Sequence, residues 1–338
     1  MLRQRNEFSS WDAAARLARL LQRFMRVRTN PLHITTVADV GARGVSQRSW
    51  AQRFASAIGP PIRWLTRRAP TAVSKLFLHL HRPLVGDAEI PVSMGALRIL
   101  VSPQDNCGGS LYYSGCYEPE ETRCFTRLLH EVRPSVFIDI GANIGYYTLL
   151  AASQGVPRLV AVEASPRIAA SLQRNVVLNG LSSRVKIIPA AVSDREGTLT
   201  FWLNRQEHNF GTGSLIPRPD LGECESIDVP CYSGDALFAD LAAGPALVKI
   251  DVEGGEQFVL QGMATFLERV RPSLAVEVHP VQLRSSGHSA EQVTGLLGDR
   301  GFRLARLSHG REIELSATEP LGSEIFWLIA RPSPRQRG

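Results

Sequence analysis

The sequence predicts an α/β protein whose core is a doubly wound, mostly parallel β-sheet. From about Met94 onward, short apolar runs of strand length alternate with segments of helical periodicity, which is the pattern of such a sheet. A glycine turn follows the first of these runs, and an acidic residue ends nearly every run. Because unpaired buried carboxylates are costly, acids repeated at strand ends indicate a binding site rather than a requirement of folding.

Five apolar runs are predicted to form the parallel strands, and they span residues 136–140, 159–163, 185–188, 246–251 and 273–278. Only a loop separates two later runs, 302–307 and 325–330, so these are predicted to pair antiparallel as a C-terminal edge hairpin. Between the third and fourth strands, residues 198–202 and 227–232 read as two further strands that flank the polar loop 209–214. A long connection at this end of a parallel sheet is usually functional.

Helices are predicted between the strands. One begins after Ser165, a suitable N-cap with Pro166 at the first helical position, and ends at Asn179-Gly180. Another spans about 256–270, and an earlier one begins at the acidic segment 118–121 and continues through Leu129.

The turn after the first strand predicts a nucleoside ligand. Asp139 lies within the strand, and Gly141, Asn143 and Gly145 form the turn before a helix, where glycine allows close approach of a ligand to the backbone. The spacing differs from the G-x-G-x-x-G fingerprint of dinucleotide sites, and the Asp139 carboxylate would repel a pyrophosphate but attract an ammonium group. A ligand with an amino acid at one end and a nucleoside at the other fits these residues, and S-adenosylmethionine is such a ligand.

Acids and backbone at the next strand ends complete the predicted donor site. Glu163 ends the second strand, 18 residues beyond Gly145, where a carboxylate accepts both ribose hydroxyls. The alternative is that Glu163 only interacts with the dipole of the following helix. Residues 190–194, including Ala191 and Asp194, are predicted to offer backbone groups to the adenine.

A second turn, Lys249-Ile-Asp-Val-Glu-Gly-Gly-Glu256, carries three acids and a lysine. Asp251 is predicted to face the sulfonium or the acceptor hydroxyl, and Glu253 to order the substrate. Methyltransferases that act on DNA amino groups typically carry an Asn/Asp-Pro-Pro-Tyr/Phe turn here; its absence favours an oxygen acceptor. His279 is the preferred general base, because an ordinary pKa of ~6.5 leaves it largely neutral in the cell, and Asp251 is the second choice.

Charge divides the chain into two predicted parts, residues 1–93 and 94–338. Residues 1–85 contain fifteen Lys and Arg but three acids, a net charge of +12, whereas the remainder has a net charge of −6. The first part is predicted to be a helical or partly disordered extension; the alternative is a basic amphipathic surface that contacts anionic membrane. No nucleic-acid reading motif accompanies this charge, so no nucleic-acid partner is expected. The five cysteines indicate neither a zinc site nor a disulfide framework, and a cytoplasmic location is expected.

Over roughly residues 95–330 the chain resembles the FkbM family of class I S-adenosylmethionine-dependent methyltransferases. The motifs that carry this resemblance are Tyr117-Glu-Pro-Glu-Glu121, Phe137-Ile-Asp-Ile-Gly-Ala-Asn-Ile-Gly-Tyr-Tyr-Thr148, Ala161-Val-Glu-Ala164, Asn175-Val-Val-Leu-Asn179, Ala190-Ala-Val-Ser-Asp194, Gly211-Thr-Gly-Ser-Leu215, Lys249-Ile-Asp-Val-Glu-Gly254 and Glu277-Val-His279. The resemblance implies a Rossmann-like fold, the donor S-adenosylmethionine and O-methylation of a sugar, glycan or secondary metabolite. Gly213 and Ser214, in the sixth motif, are expected at the substrate.

Three alternatives stay open. An NAD-linked dehydrogenase has the same fold but lacks support from the glycine spacing. A non-catalytic S-adenosylmethionine-binding module would keep the sheet without the reaction. A metal-assisted methyltransferase would use Asp251, Glu277 and His279, although no metal site is assigned from the sequence.

Overall fold

The computed structural model describes residues 89–204, 213–214, 224–241, 244–316 and 320–334. All of them belong to one unit, Arg82–Gly338. The basic helices predicted before residue 89 and most of the polar loop 209–214 lie outside the described residues. Within the described part, no helix is both long and apolar enough to span a bilayer.

The described residues form fourteen strands and nine helices. The strands are β1 (Ile90–Met94), β2 (Leu97–Val101), β3 (Val136–Ile140), β4 (Arg158–Val162), β5 (Val185–Ile188), β6 (Ala191–Ser193), β7 (Gly197–Asn204), β8 (Gly213–Ser214), β9 (Cys224–Ser233), β10 (Ala246–Ile250), β11 (Ser273–Val278), β12 (Phe302–Ser308), β13 (Arg311–Glu314) and β14 (Phe326–Pro332). The helices are α1 (Asn106–Ser114), α2 (Pro119–Val132), α3 (Tyr146–Ser153), α4 (Pro166–Leu178), α5 (Gly234–Leu237), α6 (Glu256–Gln261), α7 (Ala264–Val270), α8 (Pro280–Ser285) and α9 (Ala290–Asp299).

The central sheet confirms the predicted fold class. Its eight strands lie in the order β13-β12-β14-β11-β10-β3-β4-β5, and β11, β10, β3, β4 and β5 are parallel. The order in which the chain adds strands reverses between β3 and β10, because β4 and β5 lie on one side of β3 and β10 and β11 on the other. Open α/β sheets bind their ligands at such a point.

Continuous apolar runs form these strands because both faces of the sheet are covered. Every residue of β3 and β10 is buried, including Asp139 and Lys249. The side chains of the central strands pack with α6, α7 and α9 in one large apolar cluster. The two polar side chains in these strands therefore lie in the core, where each needs polar partners.

The C-terminal strands pair antiparallel as predicted, with one addition. β12 pairs with β14, which lies between β12 and β11 rather than at the edge. The edge strand is β13, which pairs with β12. Three of the four residues of β13 are charged, and the strand is largely exposed. Its composition is typical of a loop, so the sequence does not predict this strand.

Local capping explains the helix ends. Ser165 caps α4 by accepting a hydrogen bond from the backbone N–H of Ile168, and α4 ends at Asn179, as predicted. The single helix predicted over 256–270 is instead the two helices α6 and α7. They separate at Gly262, where a Cβ would lie 1.9 Å from the carbonyl oxygen of Ser193, so the chain bends to pack on β6.

The connection between β5 and β10 forms a second, four-stranded sheet. Its order is β6-β9-β7-β8, and β7 pairs antiparallel with β9, which confirms the two strands predicted there. Ala191, Phe201, Val229 and Cys231 form its small apolar core.

The hairpin of β1 and β2 is attached to α4 by two asparagines one helical turn apart. Asn175 accepts a hydrogen bond from the Leu100 N–H at 2.7 Å, and Asn179 accepts one from the Arg98 N–H at 2.8 Å. Asn175 also donates to the Ile144 carbonyl at 2.9 Å, so the same residue supports the glycine turn. This hairpin begins at Ile90, four residues before the boundary that charge and pattern suggest.

Candidate active site

A cleft opens at the carboxyl ends of β3, β4 and β10, and the second sheet forms one wall. It holds about 1140 Å³ of empty space, including its solvent-filled mouth. Gly141, Asn143 and Glu163 line it, together with Asp251, Glu277 and His279. Ligand sites of α/β folds lie at this edge of the sheet.

The glycine turn is shaped by its contacts with the rest of the fold. Gly141 (φ +79°) lines the cleft, and a Cβ there would lie 1.8 Å from the carbonyl oxygen of Asp251. Gly145 (φ +93°) is not a cleft-lining residue, and its Cβ would lie 2.4 Å from Leu172 of α4. The two glycines therefore allow close packing of the turn on its neighbours, which holds the cleft-lining backbone in place.

Glu163 is held directly at the floor of the cleft. Its Oε2 accepts a hydrogen bond from the Asn143 N–H at 2.8 Å, and its Oε1 accepts one from the Ser165 N–H at 2.9 Å. Asn143 has φ +51°, which turns its N–H toward the carboxylate. Burial raises the pKa of Glu163 to about 7, although the two N–H donors act in the opposite direction. This carboxylate is thus fixed in orientation and titrates near neutral pH.

Asp139 lies beneath the turn rather than on the cleft surface. It is 1% exposed, and its Oδ2 accepts a hydrogen bond from the Thr148 hydroxyl at 2.6 Å. Its Oδ1 is buried without a hydrogen-bond partner. Burial raises its pKa, against the effect of Lys249, its cross-strand neighbour. Contact of Asp139 with a ligand stays a prediction.

Lys249 is a buried cation surrounded by acids. It is 2% exposed, and its Nζ lies 2.9 Å from Asp251 Oδ2 and 4.7 Å from the ring centre of Tyr147. Burial alone would lower the pKa of this ammonium, but four carboxyl groups, those of Asp251, Asp139, Glu277 and Glu118, raise it. The lysine is therefore charged at every physiological pH.

Asp251, Glu277 and His279 form a cluster in the lining of the cleft. His279 Nε2 lies 3.7 Å from Asp251 Oδ1 and 3.9 Å from Glu277 Oε1. Burial opposes ionisation of Asp251, but Lys249 and His279 hold its pKa well below the usual range. Burial and the neighbouring Asp251 raise the pKa of Glu277. Asp251 is the ionised acid of the cluster.

His279 differs from an ordinary solvent-exposed imidazole. Burial opposes its protonation, but Asp251, followed by Glu256 and Glu253, raises its pKa above the usual value. The imidazole is therefore less often neutral than its ordinary pKa would indicate, so less of it is available as a general base at neutral pH.

The remaining predicted residues divide between cleft and surface. Ala191, Gly213 and Glu253 line the cleft, and the Ser214 hydroxyl donates to the Glu253 carbonyl at 3.1 Å. Asp194 is exposed and does not line the cleft, and its Oδ1 accepts a hydrogen bond from Ser193.

Glu118 was not among the predicted site residues. It lines the cleft with its neighbour Tyr117, and its Oε2 accepts a hydrogen bond from the Tyr147 hydroxyl at 2.7 Å. It has φ +42°, a conformation that non-glycine residues seldom adopt and that concentrates at functional sites. The sequence signal for Glu118 is the Tyr117-Glu-Pro-Glu-Glu121 motif. The acids of this motif also predict the start of α2, which conceals the second role of Glu118.

Comparison with known proteins gives a family for the central part of the chain. Residues 139–304 match the family model described as the methyltransferase FkbM domain. This chain carries an FkbM methyltransferase domain. The matched segment runs from the end of β3 to the start of β12 and contains Asp251, Glu277 and His279. No curated protein sequence matches the chain.

Solved structures resemble the fold at low sequence identity. The FkbM methyltransferase from Methylobacillus flagellatus KT is 15% identical with a TM-score of 0.38; the match covers 82% of this chain and 60% of that one. The O-methyltransferase from Bacillus cereus, solved in complex with SAH, is 13% identical with a TM-score of 0.39, and coverage is 64% and 82%. The human methyltransferase 10 domain containing protein is 13% identical with a TM-score of 0.40, and coverage is 78% and 97%. The chain thus spans 60% of the length of the Methylobacillus protein.

Removal of the buried ammonium tests the electrostatics of the FkbM domain. We expect Lys249→Met to lower the free energy of unfolding by about 3–5 kcal/mol at pH 7, because it leaves buried carboxylates without their cation. Lys186→Met, at an exposed site on β5, is the matched control and should change stability by less than about 0.5 kcal/mol. Urea unfolding measures both.

The stability that the Lys249–Asp251 ion pair contributes should depend on pH. The stability that Asp251 gains from the ammonium is present above its ordinary pKa of ~3.9 and is lost as the pH falls toward its depressed value. The difference between wild type and Lys249→Met should therefore shrink below about pH 4. Equal stability of the two lysine variants at pH 7 would contradict this description of the site.

Proposed function

We propose that this protein is an S-adenosylmethionine-dependent O-methyltransferase that acts on a hydroxyl of a sugar, glycan or secondary metabolite. The observation that carries the proposal is Glu163, a fixed carboxylate that lines the cleft between the glycine turn and the start of α4. A carboxylate at this point of an α/β sheet accepts the ribose hydroxyls of a nucleoside. The FkbM domain supplies the reaction class, which is methyl transfer.

The donor is proposed to lie along the cleft from Glu163 to Asp251. The backbone at Ala191 and Asn143 borders the nucleoside end. The sulfonium and the ammonium group face the acidic end, where Asp251 is ionised and Glu118 lies nearby. Asp139, beneath the turn, would reach the amino-acid end through a water molecule, and the exposed Asp194 would act only through the backbone beside it.

The acceptor is proposed to enter beside Glu253, Gly213 and Ser214. Its oxygen attacks the donor methyl in line, so that a C–O bond forms while the C–S bond breaks and S-adenosylhomocysteine leaves. Alignment of the two reacting atoms supplies most of the rate. The hydroxyl proton passes to His279 or, as the second candidate, to Asp251. We place the enzyme in the cytoplasm, and contact of residues 1–93 with anionic membrane stays a prediction.

Acceptor chemistry can be tested with matched compounds. Sugars that differ in a single position, one with a hydroxyl and one with an amine, should be offered with donor labelled in its methyl group. We expect the label in the hydroxyl compound as a methyl ether, identified by mass spectrometry. Transfer only to the amine would contradict the oxygen assignment and leave the methyltransferase assignment intact.

Donor binding should depend on pH through Glu163. Because the pKa of Glu163 is raised to about 7, its carboxylate is mostly protonated at pH 6 and mostly ionised at pH 8. We expect S-adenosylhomocysteine to bind about tenfold more tightly at pH 8 than at pH 6, as measured by calorimetry. Glu163→Gln should weaken binding at pH 8 by about 10- to 100-fold and remove most of the pH dependence.

Glu256→Gln is the matched control. Burial also raises the pKa of Glu256 to about 7, but its Oε1 accepts a hydrogen bond from the Gly254 N–H at the start of α6. This variant should keep the pH dependence of the wild type. Wild-type affinity in Glu163→Gln at pH 8 would show that the ribose contact is wrong.

A further inference from the structure

Three side chains at the acidic end of the cleft could act as ligands of one ion. Asp251, Glu277 and His279 each offer a ligand atom, and these atoms all lie within 4.8 Å of one another. The two distances from His279 Nε2, 3.7 and 3.9 Å, leave room for a common centre at metal–ligand bond lengths of roughly 2.0–2.4 Å. The three residues come from the ends of adjacent strands, β10 and β11, so the backbone holds them in place.

His279 supplies the independent evidence. Its side chain is 7% exposed, yet neither ring nitrogen has a hydrogen-bond partner within the described structure. Buried polar atoms almost always have a partner, so a pair of them on one ring requires an explanation. Nε2 faces the two carboxyl groups at a distance that is too long for a hydrogen bond and suitable for two ligands of the same ion.

The charge balance also favours a cation. Lys249 interacts with four carboxyl groups and contacts Asp251 only through Oδ2, which leaves Oδ1 directed toward His279. Among the described residues, the only group within ion-pair distance of Glu277 is that imidazole. Carboxyl groups therefore outnumber the cations of this region in the described chain, and a divalent ion would favour the ionised form of Glu277 beside Asp251.

We propose that Asp251, Glu277 and His279 bind a divalent transition-metal ion at the acceptor end of the cleft. One imidazole and two carboxylates suit Mn²⁺ or Zn²⁺ better than Mg²⁺, which prefers oxygen ligands and retains its water. Three protein ligands leave coordination positions open toward the cleft, where a hydroxyl or water can bind.

The consequence for catalysis rests on the proposed function. An ion on Nε2 takes the place of a proton there, so it would replace His279 as the group that acts on the acceptor hydroxyl. The hydroxyl would bind the ion, lose its proton to water in the cleft and then attack the donor methyl. Methyl transfer to oxygen is common to both schemes, and only the group that makes the oxygen nucleophilic differs.

The test measures ion binding directly. The full chain is treated with a chelator, dialysed and titrated with Mn²⁺ while the resonance of free Mn²⁺ is followed by electron paramagnetic resonance, with a parallel calorimetric titration with Zn²⁺. We expect one tight site per chain. Glu277→Gln and His279→Gln should each weaken binding at least about tenfold, whereas Glu253→Gln, in the same cleft but outside the cluster, should retain the site.

Binding of S-adenosylhomocysteine and thermal melting in the same samples show that each variant is folded and separate the two proposals. No ion bound to wild type, or equal binding by wild type and both cluster variants, would overturn the metal site. If S-adenosylhomocysteine still binds in that case, the proposed function stands. Loss of S-adenosylhomocysteine binding in folded wild type would overturn the proposed function instead.

Discussion

The ion pair between Lys249 and Asp251 at the centre of the sheet is the interaction on which the site depends. Lys249 is buried on β10 beside Asp139 of β3, and its Nζ reaches Asp251 at 2.9 Å. An uncompensated charge at this depth would cost several kcal/mol, so the lysine and the acids are stable only together. Through this contact the fold maintains an ionised carboxylate at the end of β10, in the lining of the cleft.

The same cleft shifts two carboxyl groups in opposite directions. Glu163 is buried beside neutral backbone donors, and its pKa is raised to about 7. Asp251 is buried beside an ammonium, and its pKa is lowered. Divergent shifts of neighbouring acids indicate different roles. The acid that remains charged is suited to a cation, whether a sulfonium or a metal ion, and the acid that is fixed by two N–H groups is suited to neutral hydroxyls.

The parallel strands of the central sheet and several residues that line the cleft could be predicted from the sequence, because buried parallel strands are continuous apolar runs and their ends mark the site. Glu163, Asp251 and His279 follow such strand ends, and all three line the cleft. Other features depend on contacts that periodicity does not encode. Examples are the burial of Asp139 below the turn, the break at Gly262 against β6 and the left-handed backbone that directs Glu118 into the cleft. Likewise, β13 could not be predicted from its charged composition, because it is a strand only through its pairing with β12.

The most direct test of the central ion pair is the titration of individual carboxyl carbons by ¹³C nuclear magnetic resonance between pH 4 and 8. Asp251→Asn and Glu163→Gln identify the two resonances. The structure predicts that the Asp251 signal keeps its ionised position throughout, while the Glu163 signal titrates near pH 7. Titration of Asp251 within this range would show that Lys249 does not hold it ionised and would contradict the account.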